Sequence, residues 1–332
     1  MKGEGVLKVV LRAATMAAVT SSLVLGLTFA AAAQGFPSRP VTLVVPFPPG
    51  GVIDTTARVI EAELSKELGQ PVVIENKGGS GGNLGTQLVA RAQPDGHTIL
   101  MSPNSTVVTN PFTFKNFPID PVKDLAGVGM VGETYIGLVV PAASPFNSLQ
   151  DVVAAARAKP AQYTFAHIGV GSAHNIAGAL LNKKAGIDIT PVPFQGAGPA
   201  MQSLLGGHIT MSYGTLAGIL PYVETKQLKL LAIAEPKRIK KLPDVTTMAE
   251  VVPGVEATVW VGVFAPGGTP KAIVDRLNAA LNKVIAIPEI QVKLDRIGVV
   301  PTPGTVADFN KRVRDDLKFW KEAVELAGIS PQ

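Results

Sequence analysis

The sequence VTLVVPFPPGGVID, residues 41–54, joins the features on which the fold depends. Residues 41–45 form a continuous apolar, mostly β-branched run, as expected of a strand buried on both faces, and the prolines and glycines that follow end it. Between residues 57 and 68, apolar side chains recur every three or four positions, which predicts a helix with Asp54 or Thr55 as its N-cap. The segment therefore predicts a strand, a glycine-rich turn and a helix in succession.

The same succession recurs further along the chain. Residues 72–75 predict a second strand, the glycine-rich residues 78–83 lead into a helix, and Pro94-Asp95-Gly96 predicts a turn before a strand at 98–101. Strands that alternate with helices in this way are typical of an α/β fold with largely parallel sheets.

A second series follows the strand-like residues 128–140, where Ser148 and Asp151 form a helix-capping pattern. Its predicted strands are at 163–168, 189–193, 209–213 and 228–234, its predicted helices begin near Ala173, Gly198 and Leu216, and a further strand at 258–265 precedes the last helices. We therefore expect an α/β protein of two domains, each a mixed, mainly parallel sheet flanked by helices. Residues 34–134 and 257–332 would form domain 1, and residues 135–256 domain 2.

Residues 1–33 have the three parts of a secretory signal. Lys2, Lys8 and Arg12 give a positive start, an apolar stretch follows, and Ala31-Ala32-Ala33 offers a small-residue cleavage site. We predict cleavage near Ala33 and export to the periplasm. An uncleaved membrane anchor is the alternative, because the apolar length would permit it.

The amino-acid composition excludes several kinds of functional site. The 332 residues contain no cysteine, which excludes thiolate zinc sites, iron–sulfur clusters and a cysteine nucleophile. With 30 basic and 25 acidic residues the formal net charge is +5, and basic and aromatic residues are not interleaved, so we expect no nucleic-acid partner. The dense basic run within residues 237–241 is interpreted as a solvated loop, with a docking patch as the alternative.

Two loops carry the candidate site, residues 47–54 in domain 1 and residues 169–174 in domain 2. Each lies between a predicted strand and a helix start, which places both at a cleft between the domains. Glycine lets the backbone approach a ligand closely, and the first N–H groups of a helix attract an anion. Two such helix starts could hold a carboxylate without any arginine. The alternative is that the glycines only make tight turns, and the spacing alone does not decide between the two.

Several segments of the sequence resemble motifs of known enzymes, but each lacks a residue that the motif requires. Residues 79–84 and 169–174 begin like a dinucleotide-binding fingerprint but lack its last glycine, and no phosphate-binding Gly-Lys-Ser/Thr follows either. Ser172 lies on a predicted strand-to-helix turn like a hydrolase nucleophile, yet Val170 and His174 replace the flanking glycines. The four histidines lack the His-Glu-X-X-His spacing of a metal site. We therefore expect no catalytic residue, metal or cofactor, with a secreted hydrolase acting through Ser172 as a remote alternative.

In their order and spacing, the motifs of the chain after residue 33 resemble those of the Bug-type periplasmic solute-binding proteins, the capture component of tripartite tricarboxylate transporters. The motifs that carry the resemblance are residues 40–47 with Gly50, Gly51 and Asp54, then Arg58, residues 69–73, 75–76, 81–85, 94–96, 110–111, 169–172, 192–196, 242–245 and 265–270. Each is weak by itself, and together they are highly specific.

The resemblance implies a type II-like, two-domain periplasmic binding protein that closes on a small carboxylate held largely by main-chain N–H groups and waters. The ligand-binding positions that it implies are Phe47, Gly50, Gly51, Val52, Ile53, Asp54, Ser105, Gly171, Ser172, Ala173, His174 and Gln195. Among them, Asp54 would cap the first helix and hold a water or a donor group of the ligand, and Phe47 would act as an apolar lid.

The resemblance also implies the partners. The ligand would be a small organic acid, an amino acid or a related amide, delivered to membrane transporter subunits, with delivery to a sensor as the alternative. A monomer is the default expectation. Asn175 stands where the family usually has a histidine, with His174 one position earlier, and Phe194 and Thr210 replace a common tyrosine and aspartate. These departures leave the identity of the ligand open.

Overall fold

The structure, a computed structural model, describes residues 35–331. The predicted signal sequence therefore lies outside the described residues. The strands are β1 (Val41–Val45), β2 (Val72–Asn76), β3 (Thr98–Pro103), β4 (Leu125–Thr134), β5 (Ile136–Pro141), β6 (Thr164–His167), β7 (Thr190–Pro193), β8 (Met211–Thr215), β9 (Leu228–Ile233), β10 (Val259–Pro266) and β11 (Val300–Pro301).

The α-helices, in chain order, are α1 (Val52–Leu68), α2 (Asn83–Ala90), α3 (Asn110–Thr113), α4 (Leu149–Ala158), α5 (Ala173–Ala185), α6 (Ala197–Leu205), α7 (Leu216–Glu224), α8 (Met248–Val251), α9 (Lys271–Ile285), α10 (Pro288–Arg296) and α11 (Val306–Leu326). A short 3₁₀ turn (Ser80–Gly82) precedes α2, and a π-helical turn (Ser105–Thr109) follows β3. Within the described residues, no helix is both long enough and apolar enough to span a membrane.

The strands form two mixed sheets, each with helices packed against it. The first has the order β11-β4-β10-β3-β1-β2 and is called lobe 1 together with its helices; the second has the order β7-β6-β8-β5-β9 and is called lobe 2. In lobe 1, β1 to β4 run in one direction and β10 and β11 run against them. In lobe 2, only β5 opposes the others. The expected α/β architecture with two mixed sheets flanked by helices is confirmed, but parallel pairing does not predominate, because five of the nine neighbouring strand pairs among the described residues are antiparallel.

Two segments cross between the lobes. The strand-like stretch 128–140 is not one strand, because β4 ends at Thr134 in lobe 1 and β5 begins at Ile136 in lobe 2, with Tyr135 alone between them. The chain returns through residues 234–258, where the N–H of Ala234 donates to the carbonyl of Ile136 at 2.8 Å and Val259, just after the segment, pairs with Thr134. The two crossings therefore run side by side, and together they form the hinge.

The apolar cores follow from the helix and strand periodicities. In lobe 1, Leu43 of β1, Ile60 of α1 and Leu277 of α9 belong to one buried cluster between sheet and helices. The C-terminal helix α11 packs on β4, as the sequence suggests, and also contacts α5 of lobe 2. Trp260 of β10 is buried beneath α11 and donates to the Asp316 carboxylate at 2.6 Å. The last helix therefore lies against both lobes.

The start of α1 differs from the sequence-based expectation. Its N-cap is Gly51, which offers no side-chain cap, and the two expected capping residues, Asp54 and Thr55, are the third and fourth residues of the helix. The prediction of an Asp54 cap was wrong because an acidic residue is favourable both at the N-cap and within the first turn. The capping pattern of Ser148 and Asp151 is confirmed at the start of α4.

Candidate ligand-binding site

A cavity of about 210 Å³ lies between the two lobes. Residues from both lobes and from the hinge end of β10 enclose it, and they are Val52, Ile53, Asn104, Ser105, Thr109, Thr134, Ile168, Ser172, Ala173, His174, Thr215, Val259, Val261, Ile297 and Trp320. Half of the predicted site residues are among them: Val52, Ile53, Ser105, Ser172, Ala173 and His174. The other half, Phe47, Gly50, Gly51, Asp54, Gly171 and Gln195, do not line this cavity.

The loop that starts α1 is held by the Asp54 carboxylate. Gly50 adopts a positive φ of 89°, and its N–H donates to Asp54 Oδ2 at 2.8 Å. Arg58 Nε and Nη2 donate to Oδ2 and Oδ1, both at 3.0 Å, and Asn76 Nδ2 donates to Oδ1 at 3.0 Å. The bonds from Arg58, followed by those from Gly50 and Asn76, outweigh burial and lower the pKa of Asp54 to about 2.

This arrangement bears on the predicted role of Asp54. Each of its oxygens accepts two hydrogen bonds, which fills the lone pairs of an ionised carboxylate. A direct contact of Asp54 with a ligand or water stays a prediction. The bonds in the structure make it a positioning residue that fixes Gly50 and the first turn of α1.

The loop that starts α5 is built in a similar way with neutral groups. Gly171 has a φ of 78°, and its N–H donates to Asn175 Oδ1 at 3.2 Å. Ser172 is the N-cap: its Oγ accepts from the N–H of Asn175 at 3.3 Å and donates to the carbonyl of Gly169 at 2.7 Å. Both Ser172 bonds are local, and in the described chain neither joins a histidine nitrogen of the kind that would activate a hydrolase serine.

Each helix start leaves unpaired backbone donors on residues that line the cavity. Val52 and Ile53 of α1, and Ala173 and His174 of α5, line the cavity, and within residues 35–331 their N–H groups have no hydrogen-bond acceptor. The first N–H groups of a helix have no partner inside the helix and carry the positive end of its dipole. Two positive helix ends from different lobes therefore open onto one space, which suits an anionic group.

His174 adds a neutral polar group at this point. Its side chain is buried, burial together with a smaller effect of His167 lowers its pKa to about 4, and the imidazole is therefore uncharged at neutral pH. Its Nδ1 has no hydrogen-bond partner within the described residues. The ring can accept or donate according to its tautomer.

The polar wall that follows β3 was only partly predicted. Ser105 was named from the sequence, but Asn104 and Thr109, which line the same wall, were not. They belong to the π-helical turn or its N-cap, a feature that is frequent at functional sites. The available signal was the cluster of polar residues directly after a parallel strand, at the edge where such sheets bind ligands.

The remaining wall is apolar and was not predicted. Val259, Val261, Ile297 and Trp320 come from β10, the end of α10 and α11, far along the chain from the two loops. Among the described residues around the cavity, none is Lys, Arg, Asp or Glu. The cavity therefore combines one apolar wall, uncharged polar groups and two helix starts.

The predicted residues outside the cavity have other surroundings. Phe47 packs inside lobe 1, where a Cβ on Gly82 would lie 3.1 Å from its ring. The carbonyl of Phe47 accepts from Asn76 Nδ2 at 3.0 Å. Gln195 is exposed in the loop before α6. An apolar lid at Phe47 and a wall contact at Gln195 stay predictions.

The lobes touch on both sides of the cavity. A Cβ built on Gly171 of lobe 2 would lie 3.3 Å from Thr113 Cγ2 of lobe 1. On the opposite side, a Cβ built on Gly298 of lobe 1 would overlap the Cβ of Ala217 at the start of α7. The structure therefore has the cleft closed around the cavity.

A larger cavity of about 540 Å³ lies at the hinge and contains the basic run. Arg238 pairs with Glu250 and Lys241 with Asp295 in the described structure, so part of the run is neutralised locally. Glu235 also lines this cavity, and burial raises its pKa to about 8. The Thr258 hydroxyl donates to Glu235 Oε2 at 2.8 Å.

Two mixed α/β lobes, a double crossing and a closed cleft with paired helix starts define a two-lobed binding protein. The chain belongs to the family described as the tripartite tricarboxylate transporter family receptor (TctC), whose profile matches residues 56–329. It is 32% identical over 305 residues to protein BugT of Bordetella pertussis, covering 91% of this chain and 94% of BugT. The resemblance to the Bug and TctC proteins found in the sequence is thus confirmed.

Comparison with solved structures supports the same family assignment. A protein of R. palustris, Rpa4515 with adipate, is 32% identical, with a TM-score of 0.76 over 90% of this chain and all of that one (100%). MatC of Rhodopseudomonas palustris with bound malate is 34% identical, with a TM-score of 0.72 over 87% of this chain and 100% of MatC. The family and its solved structural neighbours BugD and a TctC protein from Polaromonas are described as solute-binding proteins rather than as enzymes.

Proposed function

We propose that this protein captures a small carboxylate in the periplasm by closure of its two lobes and delivers it to the membrane subunits of a tripartite tricarboxylate-type transporter. The observation that carries the proposal is the pair of helix starts: Val52 and Ile53 from lobe 1, and Ala173 and His174 from lobe 2, present unpartnered N–H groups to one cavity in the described structure. The adipate and malate of the two solved relatives are of the same ligand class.

The mechanism is a shift of population between open and closed forms. Only the closed form offers both helix starts to the ligand, so a carboxylate that contacts both binds that form more tightly and stabilises it. Closed protein is then the form that membrane subunits recognise. In this proposal residues 1–33 are a cleaved signal, the domain boundaries are at 134/135 and 256/257, and the protein acts as a monomer.

Thermal unfolding of the purified protein, first denatured and refolded to remove any carried ligand, tests the proposal. The panel contains adipate, malate, short hydroxy acids, amino acids and amides. A ligand at 100 times its dissociation constant adds about 2.7 kcal/mol, which raises the melting temperature of a chain of this size by several degrees. A selective rise supports capture, and a flat response from demonstrably refolded protein contradicts it.

A further inference from the structure

Asn104 lines the cleft cavity, and its side chain carries a buried hydrogen-bond acceptor without a partner in the described structure. Its side chain is 1% exposed, and its Nδ2 donates to the carbonyl of Thr258 at 2.9 Å. Because a carbonyl oxygen can only accept, this bond fixes the orientation of the amide and leaves Oδ1 as the other atom. Oδ1 is buried and has no partner within the described residues. Buried acceptors of this kind are normally satisfied, so the site requires a donor from outside the chain.

The charge that the cavity can accommodate is limited. No side chain of Lys, Arg, Asp or Glu lines it within the described chain, and burial keeps His174 neutral. Each helix start acts as roughly half a positive charge, so the two together balance about one carboxylate. A second carboxylate, or an ammonium group, would be buried without an opposing charge, which is costly.

The apolar wall indicates the rest of the ligand. The side chains of Val259, Val261, Ile297 and Trp320, which line this wall, are hydrocarbon apart from the indole nitrogen of Trp320. The volume of about 210 Å³ is below the range of roughly 300–1,000 Å³ found for drug-sized ligands. The ligand that fits is therefore small and has an apolar body.

We propose that the ligand is a small monocarboxylic acid with an apolar body and one uncharged hydrogen-bond donor, a hydroxyl or an amide N–H, and that Asn104 determines specificity by accepting from that donor. The inference rests on the proposed function, because it names the class of solute that the same cavity takes. In the closed cleft the carboxylate lies at the starts of α1 and α5, the donor lies on Asn104 Oδ1, and the carbon body lies on the apolar wall.

Calorimetric titration with matched pairs of acids tests this inference. The pairs are 3-hydroxybutyrate with butyrate, 2-hydroxy-4-methylpentanoate with 4-methylpentanoate, and N-acetylglycine with 4-oxopentanoate, which has a methylene in place of the N–H. At least one donor-bearing acid is expected to bind about fivefold or more tightly than its partner, because leaving a buried acceptor unsatisfied costs at least this much. Adipate is expected to bind more weakly than that acid.

The variant Asn104→Leu completes the comparison. It removes the acceptor and keeps a side chain of similar size, so the donor-bearing acid should lose its advantage while the affinity of its partner stays the same or rises. Thr258→Val is the control, because it removes the hydroxyl beside the hinge and leaves the carbonyl that Asn104 contacts. It should leave the ratio within each pair unchanged. If Asn104→Leu does not fold, the ratio of affinities within each pair, measured on the wild-type protein, decides whether the ligand needs a donor.

The outcomes separate the two proposals. If the acids bind but no pair is discriminated, if Asn104→Leu keeps the discrimination, or if adipate binds as tightly as the best donor-bearing acid, the inference is overturned and the proposed function stands. If none of the paired acids binds but another member of the thermal-unfolding panel does, the inference is overturned and the proposed function stands. If no member of that panel binds, the proposed function itself fails.

Discussion

The loop that starts α1 and the loop that starts α5 share one backbone plan and differ in side chains. In both, a glycine with positive φ precedes the N-cap, and the third residue of the helix accepts from the N–H of that glycine. In lobe 1 the pair is Gly50 and Asp54, and in lobe 2 it is Gly171 and Asn175. The acceptor is therefore an anion, paired with Arg58, in lobe 1 and a neutral amide in lobe 2.

This difference shows that binding the ligand and positioning the loop are carried out by different groups. The donors that face the cavity are main-chain groups in both loops, so the side chain at the third helical position need not touch the ligand to be important. Four hydrogen bonds to the Asp54 carboxylate hold the first loop, and the paired Arg58 balances its charge, whereas one bond to the neutral Asn175 amide holds the corresponding glycine of the second loop.

The largest expected difference between the loops is in stability. Asp54→Ala removes four hydrogen bonds to a buried carboxylate and should lower the free energy of unfolding by about 2–3 kcal/mol. Asn175→Ala removes one bond between neutral groups and should cost about 1 kcal/mol. Urea unfolding of both variants measures the two losses. Equal losses would mean that the bonds of Arg58 and Asn76 contribute nothing.

Closure should be the next most sensitive property, because the cavity exists only while both loops face each other. Ala217→Leu places a larger side chain where Gly298 of lobe 1 touches α7, outside the cavity. The wedge should weaken the binding of the best ligand about tenfold or more and leave the melting temperature of the free protein nearly unchanged. Ala197→Leu, at an exposed helix start in the same lobe, is the control and should bind normally. Normal binding by Ala217→Leu would contradict closure at this contact.

The two loops should also lose stability in different pH ranges. Burial lowers the pKa of His174 from 6.5 to about 4, so the unfolded chain binds the proton first and stability falls as the pH drops from about 6.5 to about 4. The Arg58 bonds lower the pKa of Asp54 from 3.8 to about 2, so its contribution is complete above about pH 4 and is lost towards pH 2.

Melting temperatures measured from pH 7 to pH 2.5 test this order. His174→Asn should flatten the upper range, and Asp54→Asn the lower one. Part of the upper slope should remain in His174→Asn, because burial also lowers the pKa of His167. An unchanged upper range in His174→Asn would show that its burial does not affect stability.

The smallest expected effect distinguishes the two glycines. Gly50→Ala and Gly171→Ala both force alanine into a left-handed conformation, at a similar cost of about 1 kcal/mol each. At Gly50 the added methyl meets nothing within 4 Å, whereas at Gly171 it lies 3.3 Å from Thr113 of the opposite lobe. Ligand affinity should therefore fall a few-fold more in Gly171→Ala, measured by titration, and Thr113→Ser should restore part of it. Equal affinities would place Thr113 outside the closing contact.

The local parts of this site could be predicted from the sequence, and the distant parts could not. Periodicity and glycine-rich turns predicted the start of α5 at Ala173 and that of α1 to within about four residues, because those signals lie close to each start. The apolar wall combines Val261, Ile297 and Trp320, which only the tertiary fold brings to the loops. The free Oδ1 of Asn104 depends on a bond to Thr258, 154 residues away, which no local pattern could reveal.

The role of Asp54 shows the same limit on a smaller scale. Its residue type and position predicted a functional acidic group at the helix start, which is where it lies. The pattern could not show that Arg58 and Asn76 occupy both oxygens, because Asn76 comes from the end of a neighbouring strand. Sequence reasoning thus located the loop and could not assign the task of its carboxylate.

The position of β10 in the first sheet governs the order in which the chain can fold. β10 lies between β3 and β4, yet it is synthesised after the whole of lobe 2. The strands of lobe 2 are contiguous from Ile136 to Ile233, so that lobe can form once this part of the chain has been synthesised. In lobe 1, by contrast, β10 joins β4 to β3, and it is complete only when residue 266 is available. The first sheet of a nascent chain therefore cannot be completed until β10, in the last quarter of the sequence, has been made.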